Sequence, residues 1–126
     1  MELEINLYTK LISTQNIYSG SNRHCRMEYK RIISFFTKQS IEGWWTKKKP
    51  FDYPVHLKFQ FYIGEGKIFD TGNYSYTAKI IEDCLKGVVL KDDDARYVHN
   101  WEILVPVHVK MCPYNRCKVI FEESKI

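Results

Sequence analysis

Apolar and polar residues alternate without a break from Val55 to Ile63. Val55, Leu57, Phe59, Phe61 and Ile63 fall on one side, and His56, Lys58, Gln60 and Tyr62 on the other. A period of two over nine residues predicts a half-buried strand. Gly64-Glu65-Gly66 ends it. A shorter alternation places Leu3, Ile5 and Leu7 on one face and predicts an opening strand over Glu2 to Tyr8. Thr9 to Arg23 is rich in Ser, Thr and Asn and reads as loop. Met27 to Gln39 has helical spacing, with Met27, Arg31, Ser34 and Lys38 on one side. Ile32, Ile33, Phe35 and Phe36 supply its apolar face. Glu42 to Pro54 reads as a connector containing Trp44 and Trp45. A second helix is predicted from Ser75 to Lys86, with Gly87 as the residue just past its end. Ile80, Ile81, Cys84 and Leu85 form its core side; Lys79, Glu82, Asp83 and Lys86 lie elsewhere. Arg96 to Val109 and Cys117 to Glu122 read as a second strand pair, turning at Pro113-Tyr114-Asn115. The sum is α+β: one domain over residues 1–126, with a mixed β-sheet and two main helices packed on it.

The chain of 126 residues is 44% apolar and 27% charged, an ordinary globular composition. Its longest uncharged apolar runs, such as Ile103 to Val109, are too short to span a bilayer. The start, MELEINLY, carries acids and no basic segment followed by an apolar run. The expectation is therefore a cytoplasmic protein without a signal peptide. In that setting Cys25, Cys84, Cys112 and Cys117 read as reduced thiols. Cys112 and Cys117, with His24-Cys25, lack the spacing of paired zinc knuckles. The four histidines show no catalytic spacing.

The formal charge of +4 is uneven. Residues 1–69 hold 11 Lys/Arg against 6 Asp/Glu, and residues 70–126 hold 8 against 9. That asymmetry fits a polyanionic partner, though charge alone favours a solvated surface with chance asymmetry. The acids gather around one helix. Asp70 precedes it in a turn-like FDTGN, Lys79 sits within it, and Asp92-Asp93-Asp94 follow it. Three adjacent acids repel one another, and a bound cation relieves the repulsion. A solvated turn accounts for the same residues. Carboxylates at both ends of a lysine-bearing helix suit a Mg²⁺ site that handles phosphate.

In combination these residues resemble the RusA family of Holliday junction resolvases. Asp70 and Asn73 match the ends of that family's Asp-x-Asp-Asn element, and Lys79 its helix lysine. Asp83-Cys84-Leu85 matches its Asp-x-Leu, Gly87-Val88-Val89 the following turn, and Asp93-Asp94-Ala95 its acidic pair. The resemblance extends over nearly the whole chain, and residues 67–98 carry its specific motifs. It departs at Gly72, where the family has its second carboxylate, and at Phe69, where some members carry a basic residue.

The resemblance implies a RusA-like fold and a Mg²⁺-dependent endodeoxyribonuclease that nicks four-way junctions as a homodimer. It implies catalytic roles for Asp70, Lys79 and Asp94 and metal ligation by Asp70, Asp93 and Asp94. Asn73, Lys67, Arg23, Arg26, Lys47, Lys48 and Lys49 are the candidate DNA contacts. Bases beside Trp44 and Trp45 suit phosphates and unstacked bases, although the tryptophans read more readily as core. Gly72 opens a second expectation: a branched-DNA-binding protein with impaired or absent cleavage.

Overall fold

The computed structural model describes residues 1–19, 23–46 and 49–124. The described chain runs β1 (Glu2–Leu7), α1 (Thr14–Ser19), α2 (Arg23–Trp44) and β2 (Val55–Ile63). A short 3₁₀ turn, Thr71–Tyr74, then leads into α3 (Ser75–Leu85). Strands β3 (Val98–Ile103), β4 (Val107–His108) and β5 (Asn115–Glu123) follow. They form one mixed sheet in the order β1-β5-β2-β3, with β4 also on β2, so the α+β expectation holds.

Strand β2 forms as its alternation predicts. Val55, Leu57, Phe59, Phe61 and Ile63 are buried, and the intervening residues are half-buried. Leu3, Ile5 and Leu7 of β1 and Cys117, Val119 and Phe121 of β5 continue the same face. Helix α2 packs on that face at β1, and α3 packs beside α2. Each large apolar side chain buried there contributes about 1.5–3 kcal/mol. The opposite face is polar and laced by cross-strand ion pairs. Arg116 meets Glu4 at 2.6 Å, and Lys58 meets Glu122 at 3.1 Å.

The pairing of the last strands differs from expectation. β3 and β5 do not pair with each other; they flank β2, with β5 antiparallel and β3 parallel to it. The β2–α3–β3 segment is thus a crossover unit, as parallel neighbours require. Local alternation carries no information about which strand pairs with which, so the sequence favoured adjacency along the chain. The polar 14–19 stretch is the helix α1 rather than loop. It is fastened from outside its own sequence: Thr14 Oγ1 lies 3.1 Å from the Asn73 carbonyl, and the Gln15 N–H donates to Asn73 Oδ1.

Helix α2 is longer at both ends than its periodicity indicated, and its buried side is Tyr29, Ile33, Thr37 and Ile41. Phe35, predicted on the apolar face, is exposed. Two of the inward residues are polar and satisfied. Thr37 Oγ1 donates to the Ile33 carbonyl, and the Tyr29 hydroxyl sits 2.6 Å from Thr77 Oγ1 on α3. Trp44 stacks on Phe121 and Trp45 meets Phe51 edge-on, so both tryptophans pack against the core.

Asn115, fully buried, clips three segments together. Its Oδ1 accepts the N–H groups of Gly64 and Glu65, and its Nδ2 donates to the Thr9 carbonyl. The chain passes so close here that a Cβ on Gly64 would collide with the Cys112 carbonyl oxygen and approach that of Tyr114 to 2.5 Å. Gly64→Ala should therefore destabilise the fold by about 2 kcal/mol or more, the scale of forced overpacking. Urea unfolding against wild type measures it; an unchanged midpoint would show that the backbone yields.

Candidate functional site

Helix α3 has two sides. Ile80, Ile81 and Leu85 are buried in the core. It ends at Leu85 with Lys86 as its cap, and Gly87 beyond the cap adopts φ +83°. Its second side carries Lys79, Glu82 and Asp83 toward the 91–97 segment and β3. Glu82, which periodicity placed off the core, is only 3% exposed. Burying a carboxylate is costly unless a partner holds it. Lys79 Nζ donates to Glu82 Oε1 at 2.7 Å, and the same ammonium donates to Asp93 Oδ2 at 2.9 Å. Asp83 lies 3.7 Å from it.

Lys79, Glu82 and Asp93 line a cavity of about 400 Å³ with Val98, His99, Asn100 and Trp101 of β3. The buried indole N–H of Trp101 has no acceptor among the described residues. The electrostatics are asymmetric. Asp93 is held down at about 2, chiefly by its hydrogen bond from Lys79. Burial raises Glu82 despite the same lysine. For Lys79 burial opposes the charge, but its hydrogen bonds to Glu82 and Asp93 outweigh that and raise its pKa. The ammonium is thus fixed in its charged form, with half of its side chain open to solvent.

Among the described residues, Glu82, Asp83 and Asp93 are the one group of three or more potential metal ligands, with oxygens within 4.8 Å of one another. An all-carboxylate set suits a hard divalent cation and not a thiolate-loving one. No cysteine or histidine enters it. Cys117 is fully buried in the core, and the Cys112 thiol donates to the Tyr114 carbonyl.

The predicted ligand set Asp70, Asp93 and Asp94 is not the set that gathers. Only Asp93 belongs to the cluster. Asp94 turns to Arg96, which donates to both of its oxygens. The Asp94 carbonyl accepts the Tyr97 and Val98 N–H groups at the entry to β3. The triple-aspartate repulsion is relieved by protein cations rather than requiring an ion. Asp92 pairs with Lys86, Asp93 with Lys79 and Asp94 with Arg96.

Asp70 lies before the 3₁₀ turn and lines a separate cavity of about 300 Å³ with Lys67, Phe69, Asn73, Gln15 and Asn16. The turn itself lies against β3, so the two cavities belong to neighbouring parts of the fold. Asn73 anchors α1 through its Oδ1. Gly72 faces open space: a Cβ there meets nothing within 4 Å. A carboxylate at that position is excluded by the residue present and not by the surroundings.

Arg23 is exposed at the start of α2, and Arg26 is half-buried near Tyr76 of α3. Lys49 is exposed; Lys47 and Lys48 lie outside the described residues. Sequence reasoning missed Glu82. The signal was present in its i, i+3 spacing from Lys79, which places the two side chains together on a helix. No protein-family model matches the chain, and no curated protein matches it.

The Lys79–Asp93 pair has a definite pH signature. A carboxyl depressed from 3.8 to about 2 stabilises the fold above pH 4 and loses that contribution as pH falls toward 2. Carboxyl-carbon NMR should show Asp93 untitrated down to about pH 3. Lys79→Gln should move its midpoint back toward 3.8. A midpoint indifferent to residue 79 would remove Lys79 as the cause.

Proposed function

We propose that this chain is a divalent-metal-dependent endodeoxyribonuclease of the RusA type, acting on branched DNA such as a four-way junction and working as a homodimer. The observation that carries the reading is the juxtaposition of Glu82, Asp83 and Asp93 with the Lys79 ammonium at the edge of an open cavity. The motif residues Lys79, Asp83 and Asp93 all fall within this one cluster. The reading therefore centres on Asp93 and Lys79, with Glu82 in support, and not on Asp94.

The oxygen-only donor set fits Mg²⁺. Glu82, Asp83 and Asp93 would hold such an ion, whose chemistry there would be activation of water and stabilisation of charge on a phosphate. The chain's own residues do the rest. Asp93 is ionised throughout the physiological range, and its hydrogen bond from Lys79 holds it further in that form, so its oxygens are acceptors. Lys79 keeps its proton and offers a fixed positive charge to a phosphate oxygen entering the cavity. Asp70, Lys67 and Asn73 line the neighbouring cavity, where the strand on either side of the cleaved phosphate would lie.

A second reading has its own support. Gly72 leaves the family's second carboxylate absent although space for it exists. On that reading the protein holds branched DNA and cleaves it weakly or not at all.

Nicking of a synthetic four-way junction, with Mg²⁺ and with chelator, separates the two. The nuclease reading expects Mg²⁺-dependent nicks. It expects Asp93→Asn to lower the rate by about 100-fold or more, the scale of losing one preorganised charge at a reacting centre. Asp94→Asn should stay within about threefold, since that side chain faces Arg96. Binding without nicks in wild type, with nicks appearing in Gly72→Asp, selects the second reading. Neither binding nor nicking rejects both.

A further inference from the structure

The outward side of α2 carries charge out of proportion to its length. Between residues 23 and 38 stand Arg23, Arg26, Lys30, Arg31 and Lys38 against the single acid Glu28. That net of +4 equals the net charge of the whole chain, so everything outside these sixteen residues is neutral in sum. The bases are also ordered. Arg26, Lys30, Ser34 and Lys38 recur every four residues, and so do Arg23, Met27, Arg31 and Phe35. Residues four apart on a helix lie on one side of it, so these are two adjacent rows. From Arg26 to Lys38 the helix rises about 18 Å, which puts successive side chains of a row about 6 Å apart.

The face is open. Met27, Lys30, Arg31, Ser34, Phe35 and Lys38 line a shallow groove of about 590 Å³. Met27 is 61% exposed and Phe35 56%, although the helix buries Tyr29, Ile33, Thr37 and Ile41 on its other side. Two exposed apolar side chains among bases are too few for a membrane-seated helix, which needs a continuous apolar face; here that face is spent on the core. They are enough to touch sugars or an unstacked base. The face also leads toward the acidic cluster. Lys30, Ser34 and Lys38 surround Cys84 on α3, the neighbour of Asp83, and Lys38 borders a cleft with Cys84 and Val88.

We propose that the α2 face formed by Lys30, Arg31 and Lys38, with Met27 and Phe35 between them, is a binding tract for the phosphate backbone of a DNA arm that runs away from the acidic cluster on α3. This rests on the reading of the chain as a protein that acts on DNA. The tract uses charge spaced along one helix, so it contributes affinity and orientation and no base sequence preference. Arg31 reaches DNA in exchange for its pairing with Glu28, a surface pair of small worth.

The test is binding of a fluorescent four-way junction and of a plain duplex, by anisotropy at several salt concentrations without divalent metal. Wild type is compared with Lys30→Gln/Arg31→Gln/Lys38→Gln and with a control, Lys110→Gln/Lys118→Gln, that removes charge outside α2. A second variant, Met27→Ser/Phe35→Ser, should weaken junction binding at an unchanged salt slope, and wild-type affinity in it would remove the apolar part of the tract. The expected result is junction affinity about tenfold or more weaker in the triple variant, with a salt slope shallower by about 0.9 for each phosphate that is no longer neutralised. The control should stay within about twofold to threefold. Wild-type affinity and salt slope in the triple variant, in a wild-type protein that binds the junction, overturns the tract and leaves the nuclease reading standing. Equal weakening by the control overturns it too, because net charge alone then explains binding. Weakened binding by the triple variant in a protein that never nicks supports the tract while the nuclease reading fails. A wild-type protein that binds neither DNA overturns both.

Discussion

One ammonium group determines how the site half of this fold is put together. Lys79 bridges Glu82, a buried carboxylate on its own helix, and Asp93, fourteen residues further along the chain. Without a positive partner, Glu82 would be a charge held in a poorly solvated position, an arrangement that costs several kcal/mol. The 91–97 segment passes back along α3, and there Asp93 meets the same ammonium. That return delivers the chain to Val98 beside β2, where β3 pairs in parallel. The polar link thus spans the crossover, joining α3 to the segment that leads into β3.

The cluster's three carboxylates exceed the charge of Lys79, and of Lys86 3.7 Å from Asp93, and this makes it chemically available. Asp93 is strongly stabilised as an anion, Glu82 is strained toward its neutral form by burial, and Asp83 stands exposed beside them. A divalent cation entering such a cluster would relieve the excess, and Lys79 would then be free to face an incoming phosphate. The basic face of α2 borders α3 at Cys84. Attraction along one helix and chemistry beside the next would give the two functions separate residues, so each can be altered without the other.

Much of the fold was legible because burial imposes simple periods. The nine-residue alternation of β2 and the Leu3, Ile5, Leu7 row became buried faces, and Gly87 stands just past the end of α3 with positive φ. What was hidden depends on contacts between distant residues. Helix α1 is held by Thr14 and Asn73, nearly sixty positions apart, and no local pattern in STQNIYS reports that. Strand order followed from the crossover, which alternation does not encode. At the site, Lys79 and Asp93 were legible as candidates. Asp94 was separated from Asp93 by a single turn that points it at Arg96, and adjacent residues in a turn have no reason to share a direction. Glu82 was passed over because a charged residue is ordinarily placed on the solvent side of a helix. Its burial is intelligible only with Lys79 beside it.

The claim on which the account rests is that the Glu82–Asp83–Asp93 cluster takes a hard divalent cation. Manganese(II) broadening of backbone amide NMR signals tests it directly, because the effect reports location without requiring cleavage. The account predicts that substoichiometric Mn²⁺ broadens Lys79 to Asp83 and Asp92 to Asp93 first, that excess Mg²⁺ restores them, and that Glu82→Gln/Asp93→Asn abolishes the effect. Broadening centred on Asp70 to Asn73, or no localised broadening at millimolar metal, would contradict it.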